Sequence, residues 1–222
     1  MERYLKPTDF FDYNQPDLKA WIAARLEGVP EEPVEQAKAL YLATRDGVSY
    51  NPYVFSPEPE TFSASYALRT GESYCIPKAV LLGAAARSIG IPSRLGLADV
   101  RNHLSSPKLI EWLRSDIFRM HGYIELYLNG HWVKATPAFN RQLCELMSVE
   151  PLEFDGVNDS VFQEYTKAGQ AHMEYVNNHG VFDDLPHNFI LSGVRSAYPH
   201  LFPESGAELV QGPSSSLETD IE

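Results

Sequence analysis

Apolar residues recur at helical spacing near the start of the chain. Leu18, Trp21, Ile22 and Leu26 follow Pro16, and Val34, Ala37, Leu40, Tyr41 and Thr44 follow Pro33. Proline suits a first helical turn, where its missing N–H has no intrahelical partner, so both prolines mark helix starts. Gly47 ends the second helix, VSYNPYVF reads as an extended stretch broken by Pro52, and a short helix is expected over 63–69.

From Cys75 the pattern changes. Ala79, Val80, Leu81, Leu82, Ala84, Ala85 and Ala86 make a helix apolar almost all round, the signature of an element buried in the middle of a domain. Gly90 stands at its C-terminal cap and Pro92 prevents continuation. SRLGLADV follows as a strand, then a polar loop over 101–120 with helical character over 109–118. HGYIELYL and HWVKATP flank Asn129-Gly130, which predicts a two-residue hairpin. With that turn, Leu128 faces His131 and the pairing continues as 127:132, 125:134, 123:136 and 121:138. It places His121, Tyr123, Glu125 and Tyr127 on one face with Trp132, Lys134, Thr136 and Ala138. A further helix is expected over 161–177, and the polar, acidic residues 206–222 read as a disordered tail.

Composition narrows the possibilities. The 222 residues suffice for one substantial core, and 44% hydrophobic content is that of a globular protein. One domain over 1–205 is therefore expected. Eighteen Lys and Arg against thirty Asp and Glu leave a formal net charge of −12, which argues against nucleic acid or an anionic membrane as main partner. The first residues lack an apolar secretory core, and no apolar run reaches membrane-spanning length. Two cysteines fit a reducing compartment, so the expected location is cytoplasmic. Phosphate-binding glycine loops are absent from the sequence, and no cofactor is expected. The Asp, His and Glu residues of 154–180, among them Asp155, Asp159, His172, Glu174 and His179, match no metal-ligand spacing. They are read as turn, cap and surface groups, or as lining a cleft.

The chemistry centres on Cys75. Pro77 fixes the helix start near Tyr74 or Cys75, which puts the thiol where the helix dipole and free N–H groups stabilise a thiolate and could hold an oxyanion. A small buried apolar cysteine is the alternative. His121, diagonal to Thr136 across the hairpin, supplies a base with a neighbouring group to fix its ring.

The ordered set G-E-S-Y-C-I-P-K-A, apolar helix, G-I-P-S-R, strand and H-G-Y-I-E-L-Y-L-N-G-H-W-V-K-A-T-P resembles the transglutaminase-like superfamily over residues 35–140. The resemblance implies an α+β fold of papain and transglutaminase type, with a central Cys-bearing helix packed on an antiparallel sheet. It also implies Cys75 as nucleophile and His121 as general base. The substrate would be a peptide or protein, or a small amide, and the reaction that of a cysteine peptidase or amidase, or amine transfer. Where the family has Trp-Val-x-x-Asp-Pro, this chain has Thr136 in the Asp position. A hydroxyl accepts from an imidazole N–H but brings no charge to an imidazolium. Thr136, Asn140 or a distant acid such as Asp99, Asp155 or Asp159 stands as third member. The alternative is a catalytically degenerate domain that binds peptide.

Overall fold

The computed structural model describes residues 1–103, 105–161, 173–202 and 209–221. Two helices, α1 (Pro16–Leu26) and α2 (Pro33–Gly47), begin at the expected prolines. A short strand β1 (Ser49–Tyr50) and helix α3 (Ala64–Thr70) lead to β2 (Glu72–Ser73), which pairs parallel with β1. The central helix α4 (Cys75–Ser88) starts at the cysteine itself, with extended Tyr74 as its N-cap, and every residue from Cys75 to Arg87 is buried.

β3 (Ser93–Asn102), β4 (Ile117–Leu128), β5 (His131–Ala135) and β6 (Met173–Phe182) form an antiparallel sheet in the order β5-β4-β3-β6, with α5 (Pro107–Leu113) between β3 and β4. The remaining helices are α6 (Arg141–Leu146), α7 (His187–Ala197) and α8 (Leu217–Ile221). The architecture is the expected α+β one. α4 lies between the sheet, through β3 and β4, and the helices α2 and α3. Among the described residues no helix is long and apolar enough to cross a membrane.

Close approach of α4 to β4 depends on two glycines. A Cβ on Gly83 would lie 2.6 Å from both Ile124 Cδ1 and Phe11 Cε1, and one on Gly122 would lie 2.8 Å from Ile76 Cα. Polar side chains buried around α4 serve backbone carbonyls left free at element ends. Lys78 Nζ donates to the carbonyls of Arg45 and Val48 at the end of α2. Burial pushes this ammonium down to about 7, against the pull of those acceptors and of the helix dipole. Lys78 thus neither faces solvent nor serves the thiol.

The hairpin has the expected register, Leu128↔His131 through Ile124↔Ala135. The ladder stops there, because Pro137 cannot donate the next bond and Ser160 N–H takes the Lys134 carbonyl on the outer edge. The pairs 123:136 and 121:138 do not form part of it. Three further expectations change. Residues 109–118 are not one helix: α5 ends at Leu113, with Arg114 in the left-handed region as its cap, and β4 begins at Ile117. The helix expected over 161–177 is a strand from Met173 onward, paired with β3; residues 162–172 lie outside those described. The tail, described over 209–221, is docked by buried Leu217 and by side-chain bonds from Tyr53 and Lys108 to Asp220 and from Asn140 to Glu218.

Candidate active site

Cys75 opens α4 because Pro77 can occupy only a first turn and Tyr74 is already extended. The sulfur lies among the backbone N–H groups of Gly122, Ile76 and Cys75, which favour its thiolate. Burial outweighs them: the thiol is 9% exposed and is pushed up to about 11. Burial thus reverses the expected depression of its pKa. His121 is also buried, and desolvation alone pushes it down to about 4. The resting pair is a neutral thiol beside a neutral imidazole. Burial of both groups therefore opposes moving the proton from Cys75 to His121.

Cys75 and His121 line one cleft enclosing about 570 Å³ of empty space partly open to solvent. His121 and Thr136 also line a smaller cavity of about 240 Å³. The imidazole thus borders both the cleft that holds Cys75 and the cavity that holds Thr136. The expected hydrogen bond from Thr136 is not made, since His121 Nε2 and Thr136 Oγ1 are both buried without a partner. Asn140 is committed elsewhere: Oδ1 accepts from Tyr50 N–H at 3.0 Å and Nδ2 donates to Glu218 at 2.9 Å. Asp155 closes its own turn through the N–H groups of Val157 and Asn158, and Asp159 accepts from Lys134 N–H. Glu174 pairs with Arg101, and His172 lies outside the described residues.

Asp99 has a different part. β4 carries one extra residue opposite it, since Ala98 pairs with His121 but Val100 pairs with Phe118. The carboxylate, 1% exposed, accepts from Met120 N–H at 3.1 Å, from Arg119 at 2.8 Å, and bonds His179 at 2.8 Å. Burial raises its pKa, but the bonds from His179, Arg119 and Met120 together outweigh that and hold the carboxyl below its usual range. Met120, at φ 57°, is the strained residue of this bulge and directly precedes His121. Asp99 holds the backbone that delivers the base. The sequence offered no sign of this, because an acid within an apolar strand looks the same whether it faces solvent or clamps a bulge.

The sequence also missed the polar atoms of the cleft wall. Among the described residues five buried side-chain atoms lack a hydrogen-bond partner, and three of them, Tyr74 Oη, Trp112 Nε1 and His121 Nε2, belong to residues lining the Cys75 cleft. Each such group costs about 1–3 kcal/mol when left unpaired, so their concentration in one place points to a site. Burial raises the phenols of Tyr50 and Tyr74, with the charge a Cys75 thiolate would carry next, and burial raises that of Tyr198 against its contacts with Arg119; all three rings line the Cys75 cleft.

Gly122 ties this geometry to packing. Gly122→Ala should push the first turn of α4 away from β4 and weaken the N–H contact to the sulfur. The expected loss is about 1–3 kcal/mol, read from the urea midpoint, with altered alkylation of Cys75. An unchanged midpoint would show that the helix start yields without cost.

A helix-capping cysteine, a histidine on the adjoining strand and an antiparallel sheet behind them define a papain-like thiol architecture. The transglutaminase-like superfamily matches residues 21–137, more than half of the chain, and the chain belongs to that superfamily. No curated protein matches it in sequence. Among solved structures it is similar to a candidate cysteine protease from Cytophaga hutchinsonii, at 18% identity and a TM-score of 0.45, covering 60% of this chain and only 40% of that one. It is also similar to the arylamine N-acetyltransferase of Salmonella typhimurium, at 19% identity and a TM-score of 0.49, covering 82% of this chain and 70% of that one. For the arylamine N-acetyltransferase of Mycobacterium abscessus the values are 12% and 0.48, with 88% and 74% covered.

Proposed function

We propose that the protein is a thiol-dependent acyl-transfer enzyme, most simply a cysteine peptidase or amidase, with Cys75 as nucleophile and His121 as general base. The observation that carries this reading is the placement of both side chains on one cleft, with the sulfur among the N–H groups of the α4 start and of Gly122. Because the resting pair is neutral, His121 takes the thiol proton as sulfur adds to the carbonyl carbon. Backbone N–H groups beside Cys75 hold the oxyanion. Collapse breaks the bond to the leaving amine or alcohol, which receives the proton from His121. Water then adds to the thioester with His121 as base, releasing the acid and restoring the thiol; an amine in place of water gives transfer.

The test is exposure to p-nitrophenyl acetate with mass mapping of Cys75. Acylation of Cys75 in the wild type is expected to fall at least about a thousandfold in His121→Ala and to vanish in Cys75→Ala. Absence of acylation in the wild type would favour the second reading, a domain that binds peptide without turning it over. That reading draws support from Thr136 in the acid's place and from the raised thiol and lowered imidazole.

A further inference from the structure

The cleft beside Cys75 is walled by rings that are far apart in sequence: Tyr50, Phe55, Tyr74, Trp112, Phe118 and Tyr198. Phe55 meets Tyr74 edge-on at 5.7 Å, so this wall is already packed and fixed in shape. Such a surface suits a flat apolar group, which keeps contact with ring faces and edges that a branched aliphatic chain would leave gapped. The wall is nearly without charge. Its one cation, Arg119, is held by Asp99 at 2.8 Å.

Two residues of this wall carry buried polar atoms without a hydrogen-bond partner: Tyr74, 7% exposed, at its phenol oxygen, and Trp112 at its indole N–H. An indole N–H only donates, and a phenol donates readily, so the complementary group on a ligand is an acceptor. A neutral acceptor fits better than a carboxylate, because no free cation stands beside these donors to offset its desolvation.

We propose that this cleft is the acyl pocket, and that the substrate class is an ester or amide of a small aromatic carboxylic acid whose ring bears a neutral hydrogen-bond acceptor for Tyr74 and Trp112. The assignment rests on the acyl-transfer reading above. The aromatic acyl group is the part that stays beside Cys75 through both half-reactions. Acylation joins its carbonyl carbon to the sulfur and breaks the bond to the leaving group, which departs with the thiol proton by way of His121. Water then cleaves the thioester, giving the aromatic acid and the free thiol. The cleft is partly open to solvent, so the leaving group projects outward while the ring lies against the aromatic wall.

The test has a binding arm and a kinetic arm. In the first, Cys75→Ala protein is titrated calorimetrically with 4-acetylbenzamide, benzamide and cyclohexanecarboxamide. Benzamide should bind more tightly than the cyclohexane analogue, and 4-acetylbenzamide roughly tenfold more tightly than benzamide. Adding Tyr74→Phe or Trp112→Phe should bring the affinity of 4-acetylbenzamide toward that of benzamide measured in the same variant. In the second arm, wild-type Cys75 should be acylated by p-nitrophenyl 4-acetylbenzoate at least about tenfold faster than by p-nitrophenyl acetate, each rate taken relative to spontaneous hydrolysis.

Equal affinities for the three amides would overturn the pocket assignment, and this comparison decides even if either added variant fails to fold. Acylation of Cys75 without aromatic preference overturns the pocket and keeps the acyl-transfer reading. Ordered binding of the amides with no acylation by any ester keeps the pocket and removes the chemistry. Tighter binding of 4-carboxybenzamide than of 4-acetylbenzamide overturns the neutral-acceptor assignment.

Discussion

Thr136→Asp is expected to raise the population of the Cys75 thiolate–His121 imidazolium pair by about ten- to a thousandfold. In the wild type the imidazole is held down to about 4 and the thiol up to about 11, so a thiolate–imidazolium pair is a rare species. Its population depends on the gap between those values. A carboxylate across the small cavity from His121 favours the charged ring and should raise its pKa by about one to three units, with the pair gaining tenfold for each. The shape of the pH profile should change as well. Wild-type Cys75 alkylation should rise about tenfold per pH unit toward 11 with the free thiolate, whereas in the variant the pair adds a contribution that flattens the acid end of the profile. Cys144, fully buried and also pushed up to about 11, is the internal reference for iodoacetamide labelling followed by mass mapping. Thr136→Asn, close in shape and uncharged, should leave the profile unaltered. If Asn and Asp variants behave alike, the cavity does not couple position 136 to the imidazole and the third group lies elsewhere.

Asp99→Asn should cost about 3 kcal/mol in stability and reduce Cys75 acylation by at least about tenfold. Asparagine keeps an acceptor for Met120 N–H but leaves Arg119 and His179 without their shared anion, and removing one member of a buried pair is expensive. The pH dependence separates this role from simple packing. The folded-state pKa of Asp99 lies below the ordinary carboxylate value, so its contribution is fully present above about pH 4 and is lost as pH falls through the folded value. The gap in urea midpoint between wild type and Asp99→Asn should therefore be wide at pH 7 and narrower at pH 3. A gap that does not change with pH would show that the carboxylate's charge is not what holds the bulge.

Much of this arrangement was legible in the sequence, for local reasons. Pro77 dictates a helix start within a residue or two, and an Asn-Gly turn dictates register, so Cys75, His121 and their relative placement follow from short-range geometry. What was not legible depends on distance along the chain. β6 is an edge strand with exposed residues on both faces and two irregularities in its pairing with β3, so MEYVNNHGVF carries no alternation to read. The acidic tail looks disordered by composition, yet Asp220 is bonded by Lys108 and Tyr53 and Glu218 by Asn140, partners that only the folded chain assembles. The aromatic wall has the same character, since residues 50, 74, 112 and 198 meet through topology alone. The high thiol pKa was missed because a helix start argues for a thiolate, whereas burial, which argues more strongly against it, appears only in three dimensions.

The extra residue opposite Asp99 works as a frameshift in side-chain direction. Strand residues alternate between faces, so in a regular strand of the same length Phe118, three positions before His121, would point to the opposite face. With it, Phe118 pairs with Val100 as His121 pairs with Ala98, and both rings look into the same cleft. The bulge thus compensates for one residue of chain length and keeps an aromatic ring beside the base. Deleting Arg119 or Met120 would regularise the ladder and leave Phe118 opposite Val100, two positions before His121 and on the same face, so the cleft wall should survive the loss of the bulge.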